Sequence, residues 1–302
     1  MNMKKTIRGS LSLVFATVIW GSAFIAQSVG MDFIGPFTFQ AVRCLLAVLI
    51  LLPLTVLTDL AKKDGKTYLS RWTDKALWKA GILCGIPLFL AVNFQQVGLL
   101  YTGTGKAGFL TAMYIVIVPV IGFFLRKKTS FFVPISVAIA VVGLYLLCSV
   151  GDSSVGLGDL LLLMCALMFS VQITVVDAVA ADQDPLRLNA VQFLVCAILS
   201  SVIMAVRETP TWDLILACKV PLLYAGFLSS GIAYSLQIFG QRDLEATAAS
   251  LLMSLESVFA ALFGWLLLKQ VMSPTEILGS ILIFIAVILS QIPTKSKART
   301  AE

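Results

Sequence analysis

The chain has 302 residues, of which 59% are hydrophobic and 13% are charged. Because soluble domains carry about 25% charged residues, this composition excludes an ordinary soluble protein. It predicts an all-α integral membrane protein, in which helices satisfy the backbone polar groups. The net charge of +6 comes from short basic clusters at predicted helix ends, not from one basic face with interleaved aromatic residues, which argues against a nucleic-acid partner.

Residues typical of catalytic and metal sites are scarce. The chain contains no His, which removes the commonest general base and metal ligand. Its six Cys show no CxxC spacing and fall almost entirely inside apolar runs, where they behave as small hydrophobic side chains. We therefore expect neither enzyme activity nor a metal site nor a bound cofactor.

Ten apolar segments follow one another as predicted membrane-spanning helices, which need about 20 residues each. The first begins with Lys4, Lys5 and Arg8, but its apolar run is longer than the roughly 7–15 residues of a signal peptide. The predicted helices lie, in order, in 1–30, 37–57, 76–100, 106–125, 131–150, 158–180, 186–206, 214–240, 246–269 and 274–292. A polar loop, 58–75, and a basic tail, 293–302, lie between or after them.

Matching residues at constant spacing indicate an internal duplication. Gly98 corresponds to Gly240 at a spacing of 142, and Pro36 corresponds to Pro185 at a spacing of 149. Each half therefore holds five predicted helices, and an odd number reverses the second half in the membrane. This arrangement predicts two inverted five-helix repeats around a central cavity. The repeats cover 8–150 and 156–292, with a hinge at 151–154.

The distribution of Lys and Arg predicts the orientation in the membrane. If the N terminus is inside, 17 of the 22 basic residues fall at cytoplasmic ends, four fall outside and Arg43 lies within the membrane. This asymmetry follows the positive-inside rule. It predicts a multi-pass protein of a bacterial-type cell membrane in which both termini, the loop 58–75 and the tail 293–302 are cytoplasmic.

Two buried charges are the first candidate functional residues. Glu256 lies in the middle of the ninth predicted helix, and Arg43 lies roughly two turns inside the second. An ionised group at such depth is costly unless it is neutralised, paired or wetted. Two readings remain open: Glu256 couples transport to a proton or a counter-substrate, or it is a structural carboxylate that pairs with Arg43 or with neighbouring Ser and Thr.

The eighth predicted helix carries a polar stripe, which includes Ser230, Tyr234 and Gln237. The stripe either lines the cavity or makes hydrogen bonds between helices, since it would be costly against lipid. Trp20 either stacks on a flat substrate or packs in the core. The candidate substrate-binding residues are Trp20, Arg43, Asn93, Gln96, Tyr114, Gln172, Tyr234, Gln237 and Glu256.

Several segments resemble the EamA-type domains of the drug/metabolite transporter superfamily. Ser250 to Trp265, reading SLLMSLESVFAALFGW, resembles the end of such a domain, and Thr104 to Pro119 resembles the matching part of a first one. The segments around Trp20 and Arg43 resemble the first two helices of the family. The resemblance covers about residues 8–292.

The resemblance implies ten helices, an inverted repeat, a central cavity and secondary transport, often efflux, of small metabolites or drugs. Many relatives have Pro after the Glu, where this chain has Ser257, so the local bend expected at Glu256 is open. We therefore expect a secondary active transporter that moves a small metabolite or drug-like solute by alternating access, in the efflux direction. The alternatives are a channel or a non-transporting scaffold or receptor. The fifth and tenth predicted helices lack polar stripes and are candidates for peripheral or homodimer packing.

Overall fold

The computed structural model describes residues 3–62, 67–102, 104–127, 131–148, 156–269 and 272–290. Regular secondary structure in these ranges is entirely helical, which confirms the prediction of an all-α fold. The predicted hinge at 151–154, part of the loop 58–75 and the tail 293–302 lie outside the described residues.

The helices are numbered in chain order. The first half contains α1 (Met3–Gly30), α2 (Pro36–Leu60), α3 (Tyr68–Trp72), α4 (Lys75–Gly98), α5 (Thr104–Thr111), α6 (Tyr114–Phe124) and α7 (Phe132–Leu147). The second half contains α8 (Leu157–Val179), α9 (Pro185–Arg207), α10 (Trp212–Ala217), α11 (Lys219–Leu223), a π-helix called π1 (Tyr224–Ala233), α12 (Tyr234–Gln241), α13 (Ala246–Met253), α14 (Leu255–Leu268) and α15 (Pro274–Ser290).

Eight spans in the described residues are long and apolar enough to cross a membrane. They are α1, α2, α4, α8 and α9, together with the composite spans 107–124, 219–241 and 246–267. Both α7 and α15 are apolar but shorter, with 16 and 17 residues. A membrane-spanning role for α7 and α15, and hence a total of ten helices, stays a prediction.

Three of the predicted helices are interrupted. The fourth breaks between α5 and α6, where Ile115 and Val116 make tighter bonds to residues three positions back. The ninth breaks at Ser254, whose Oγ donates to its own helix at Leu251 O, 2.7 Å away, a bond that bends helices. The eighth was predicted as continuous, but α10 ends before Cys218 and a new helix begins just before Pro221. Proline favours the first turn of a helix, which explains the restart.

The π-helix is stabilised by polar side chains from other helices. A π-helix is rare and is often found at functional sites. Asn189 of α9 donates from Nδ2 to the carbonyls of Ser230 and Gly231, at 3.1 and 2.9 Å. Trp20 of α1 donates from Nε1 to Ser229 O at 3.4 Å. These bonds satisfy carbonyl groups in the part of π1 that faces the centre of the helix bundle.

The two halves pack on each other through corresponding contacts. Helix α2 packs on α9, α4 on α8, α7 on α15, and α1 on both α12 and α14. A Cβ added at Gly9 would lie 2.9 Å from Gly240 O, and one at Gly98 would lie 3.4 Å from Gly158 O. These are the same contact in the two halves, since Gly9 corresponds to Gly158 and Gly98 to Gly240. Close helix packing at these positions requires glycine.

The centre of the bundle is more polar than its outside. Gln40, Gln96, Asn189 and Gln192 are all buried, whereas large apolar side chains such as Ile288 are exposed. In a water-soluble protein this arrangement would be inverted. It is the distribution expected when lipid surrounds the chain, and it directs attention to the polar centre.

Candidate functional site

A small cavity lies at the centre of the bundle, with about 40 Å³ of free volume. Its walls come from both halves of the chain. Seven of the nine candidate residues line it: Trp20, Arg43, Tyr114, Gln172, Tyr234, Gln237 and Glu256.

The cavity is lined by residues that correspond between the halves. Gln95 and Gln237 are 142 residues apart, and Trp20 and Phe169 are 149 apart, the two spacings of the duplication. The cavity is therefore shared between the two halves of the chain. The four corresponding pairs in its wall are Trp20 with Phe169, Phe24 with Ile173, Gln95 with Gln237, and Tyr114 with Glu256.

Arg43 is held by neutral acceptors. Its side chain is buried, and Nε donates to Ser230 Oγ at 2.6 Å. Nη1 donates to Gln27 Oε1 at 3.1 Å, and Nη2 donates to Ser229 Oγ at 3.2 Å. The guanidinium therefore joins α1 and α2 to π1. Two of its five N–H groups remain for the cavity.

Glu256 accepts a hydrogen bond from Tyr114, with 3.0 Å between Oη and Oε1. Both side chains are buried. Among the described residues, the ion pairs do not include one between Arg43 and Glu256. The structural ion pair considered from the sequence is therefore not formed in this conformation, and the partners of Arg43 are those from α1 and π1. Both charged groups border the same cavity.

Aromatic rings form one wall of the cavity. Tyr234 packs edge-on against Trp20, with ring centroids 4.9 Å apart, and against Phe193 at 5.1 Å. Edge-to-face packing at these distances stabilises a rigid cluster. Trp20 packs in the core and also borders the cavity. Its stacking on a flat substrate stays a prediction.

A chain of amides continues the polar stripe. Gln237 Nε2 donates to Gln172 Oε1 at 3.1 Å and to Gln241 Oε1 at 2.9 Å. Gln172 Nε2 in turn donates to Gln192 Oε1 at 3.3 Å. Gln237 Oε1 is buried and has no hydrogen-bond partner among the described residues. This atom is an acceptor that remains available at the cavity.

Asn93 and Gln96, also predicted as substrate-binding, lie away from the cavity. Asn93 Nδ2 donates to Ser200 Oγ at 3.0 Å, between α4 and α9. Gln96 Oε1 accepts from Gln40 Nε2 at 3.1 Å, between α2 and α4. Successive helical residues point about 100° apart, so Gln95 faces the cavity and Gln96 does not.

The sequence analysis did not include Gln95, Phe24, Phe169 and Ser229 among the candidates, although all four line the cavity. Gln95 could have been found, since it corresponds to Gln237 at the spacing of 142. The same comparison leads from Trp20 to Phe169. No comparable signal marks Ser229, whose position depends on π1.

Four ion pairs join the two halves at one end of the bundle. Arg8 and Asp243 are 2.8 Å apart, and Lys62 and Asp184 are 2.7 Å apart. Two further pairs are Lys127 with Asp177, and Arg187 with Asp59.

Arg187 is the most enclosed of these charges. Its side chain is 3% exposed, and its guanidinium lies 5.7 Å from the ring centroid of Tyr68 and 5.6 Å from that of Trp72. Next to it, burial raises the pKa of Asp184, but hydrogen bonds from Lys62 and the Arg187 backbone outweigh this effect and bring the pKa below the usual 3.8. The aspartate is therefore ionised at neutral pH.

At the opposite end of the bundle an acidic residue also connects α9 to α2, and its described partners are neutral groups. Glu208 Oε1 accepts from the backbone N–H of Phe37 at 3.0 Å, and Oε2 accepts from that of Thr38 at 2.7 Å. An anion at a helix N-terminus is stabilised by the helix dipole. Glu208 corresponds to Asp59, and Thr38 corresponds to Arg187, at the spacing of 149.

The described residues contain no group of three or more Cys, Asp and Glu with the proximity of a metal site. The chemical groups that line the central cavity are one guanidinium, one carboxyl group, amides and aromatic rings. Such a cavity can bind and release a small solute or a proton.

Comparison with known proteins agrees with this architecture. The model of the EamA-like transporter family matches residues 7–149 and again 156–291. An uncharacterized transporter of Archaeoglobus fulgidus is 32% identical over 286 residues, which cover 94% of this chain and 86% of the relative. The uncharacterized transporter YoaV of Bacillus subtilis is 23% identical, over 92% of this chain and 94% of its own.

A solved crystal structure has the same fold, with a TM-score of 0.75 at 16% identity, over 94% of this chain and 96% of its own. At that identity the likeness shows the fold alone. Two family matches cover nearly the whole chain, and the resemblance expected from the motifs is confirmed. The chain belongs to the EamA-like transporter family and is a multi-pass membrane protein.

Proposed function

We propose that the protein is a secondary active transporter that moves a small metabolite or drug-like solute across the cell membrane by alternating access. The observation that carries this proposal is the central cavity, whose wall includes four corresponding pairs of residues from the two halves and which contains Arg43 and Glu256. A site between two repeats is the arrangement in which each half can open one side in turn.

The inverted arrangement of the repeats, 8–150 and 156–292, is part of the proposal. Its support is the reciprocal packing of the halves, seen in the Gly9–Gly240 and Gly98–Gly158 contacts. Helices α7 and α15 also take corresponding places and pack on each other, which favours ten crossing helices. Their exposed apolar faces are the surface proposed for a homodimer.

The conformation supports closure around the site. The free volume of about 40 Å³ is far below the roughly 300–1,000 Å³ of ligand pockets. The helices around the cavity must therefore separate to admit a solute. The four ion pairs between the halves lie at one end, which we assign to the cytoplasm because the predicted orientation puts both termini there.

The proposed binding residues are those of the cavity, and Glu256 is the proposed coupling group. Its carboxyl group can exchange a proton or a counter-substrate when the cavity opens, and Arg43 offers two free N–H groups to an anionic part of the solute. The lipid bilayer and a small solute are the proposed partners, the proposed direction is efflux, and no enzymatic activity is expected.

The test begins with a thermal-shift screen of metabolites on the purified protein, since a ligand that binds the folded state raises its apparent stability. The solute found is then radiolabelled for counterflow in proteoliposomes. In proteoliposomes loaded with an excess of unlabelled solute and diluted into a low concentration of labelled solute, a transporter accumulates label transiently above its equilibrium level. A channel equilibrates it without overshoot, and a scaffold or receptor binds without flux; either result would overturn the proposal.

A matched pair of variants locates the site. Glu256→Gln should keep the thermal stability within about 2 °C of wild type, the size of an effect near 1 kcal/mol, and should abolish coupled uptake. Ser257→Ala, at the neighbouring position, should retain transport. Full transport by Glu256→Gln would remove the carboxyl group from the mechanism.

A further inference from the structure

Tyr114 and Glu256 occupy the same place in the two halves. They are 142 residues apart, and each follows a break in its helix. Tyr114 is the first residue of α6, after the break at 112–113, and Glu256 is the second residue of α14, after Ser254. The hydrogen bond between them therefore joins equivalent positions and lies on the axis that relates the halves.

The hydrogen bond from Tyr114 is the main polar contact that fixes the position of the Glu256 carboxyl group. Among the described residues, Tyr114 is the hydrogen-bond donor that Glu256 has, at 3.0 Å. The other titratable or charged groups that face the pair are Arg43, Tyr234 and Cys165. Arg43 is engaged with Ser229, Ser230 and Gln27, so it does not orient the carboxyl group.

A contact between equivalent positions has a special property in an inverted repeat. When the protein changes from one open side to the other, the two halves exchange conformations. The exchange maps a contact such as Arg8–Asp243 onto different residues, Leu157 and Tyr101. The contact Tyr114–Glu256 corresponds to itself, because exchanging the halves maps each residue onto the other. The exchange therefore preserves it.

We propose that Tyr114 is a positioning residue that holds the Glu256 carboxyl group on the axis throughout the transport cycle. The proposal rests on the proposed role of Glu256 as the coupling group and on the inverted repeat. The carboxyl group stays in one place, and access to it changes from one side of the membrane to the other as the helices around it move. Tyr114 acts through Glu256 and does not itself exchange a proton.

The test uses protons as the probe and infrared difference spectroscopy as the readout. Spectra of purified protein in lipid nanodiscs are recorded at about pH 3 and about pH 9, on either side of the ordinary carboxyl pKa values of about 4. The band that disappears in Glu256→Gln belongs to Glu256. In Tyr114→Phe this band should move to higher wavenumber, because a carboxyl C=O that loses a hydrogen bond stiffens.

Tyr224→Phe is the matched control. It removes a half-buried phenol hydroxyl that is bonded to Ser22 and to Ile19 O, with no carboxyl partner among the described residues. Its Glu256 band should coincide with that of wild type. If Tyr114→Phe fails to fold, Glu256→Asp retracts the carboxyl group by one methylene and should move the band as well. An unmoved band in folded Tyr114→Phe or Glu256→Asp would overturn the proposal.

Two engineered disulfides test whether the bond persists. Arg8→Cys with Asp243→Cys closes one end, and Leu157→Cys with Tyr101→Cys closes the corresponding end. The Glu256 band should have the same position with either disulfide, and a different position between them would refute a persistent contact. These spectra need no transport, so they test the Tyr114–Glu256 bond independently of the proposed function. Failure of the wild-type protein in counterflow would refute the proposed function and would leave the spectroscopic result unaffected.

Discussion

An acidic side chain connects α2 and α9 at each end of the bundle, so a substitution at one end can serve as the control for the same substitution at the other. Asp59→Asn removes the carboxylate that binds Arg187. Glu208→Gln makes the same change at the corresponding position, where the partners are two backbone N–H groups of α2 and the hydroxyl of Thr38. The two substitutions have equal size and chemistry and differ in what they leave unpaired.

The magnitudes follow from the two environments. Breaking a buried pair costs about 3–5 kcal/mol because it leaves a charge without compensation. For Arg187 this is reduced, since Asp184 remains 3.6 Å away and two aromatic rings face the guanidinium. We therefore expect Asp59→Asn to cost about 2 kcal/mol. In Glu208→Gln the amide oxygen still accepts one N–H bond, and the loss is a charge–dipole term of about 0.3–1 kcal/mol.

Thermal unfolding in detergent, followed by tryptophan fluorescence, measures the difference. At roughly 2 °C per kcal/mol for a chain of this size, Asp59→Asn should lower Tm by about 4 °C and Glu208→Gln by about 1–2 °C. Added salt should narrow the gap only slightly, because buried pairs are poorly screened. A Tm for Glu208→Gln equal to or lower than that for Asp59→Asn would refute the reasoning.

Three other predictions use neighbouring features. Lys127→Glu should destabilise the protein by about 0.5–1 kcal/mol through repulsion of Asp177, and the exchange Lys127→Asp with Asp177→Lys should recover most of the loss in the same thermal assay; no recovery would show that the two do not interact. Because the pKa of Asp184 is below 3.8, its ionised form stabilises the fold above about pH 4 and this contribution disappears as the pH falls through the lowered value. Asp184→Asn should therefore be less stable than wild type at pH 7, the gap should shrink as the pH falls below about 4, and a constant gap would contradict the assignment. Gly98→Ala should destabilise by about 1–3 kcal/mol, the range for overpacking, since its Cβ would lie 2.8 Å from Leu162. Gly122→Ala, with nothing within 4 Å, should be neutral or stabilising, and equal effects would refute the close packing.

Sequence reasoning located most of the cavity because polar groups inside a membrane are costly. Glu256, Arg43 and the stripe of the eighth predicted helix stand out against an apolar background, and all border or adjoin the cavity. The duplication added positional information, since residues 142 or 149 apart take corresponding places around one axis. That comparison also contains Gln95, which the stripe argument alone did not select.

Where the predicted residues do not line the cavity, the physical origin is the rotation of a helix about its axis. Asn93 and Gln96 lie on a shared side of α4 as predicted, but that side packs on α2 and α9. Polarity indicates that a side chain avoids lipid and does not indicate whether it meets a cavity or another helix. The depth of Arg43 and Glu256 in the membrane left open whether the two side chains would pair. In the structure, Arg43 binds Ser230 and Glu256 binds Tyr114, and both partners are neutral groups.

By itself the amino-acid sequence determined the membrane class, the duplication and the family, because hydropathy, residue spacing and motif are properties of the chain. Only the tertiary structure decided which polar residues meet. The break at Ser254, the π-helix that presents Ser229 and Ser230 to Arg43, and the bond from Tyr114 to Glu256 depend on contacts between helices distant in sequence. These three features form because the two halves of the chain pack against each other, and local helix propensity does not specify how they pack.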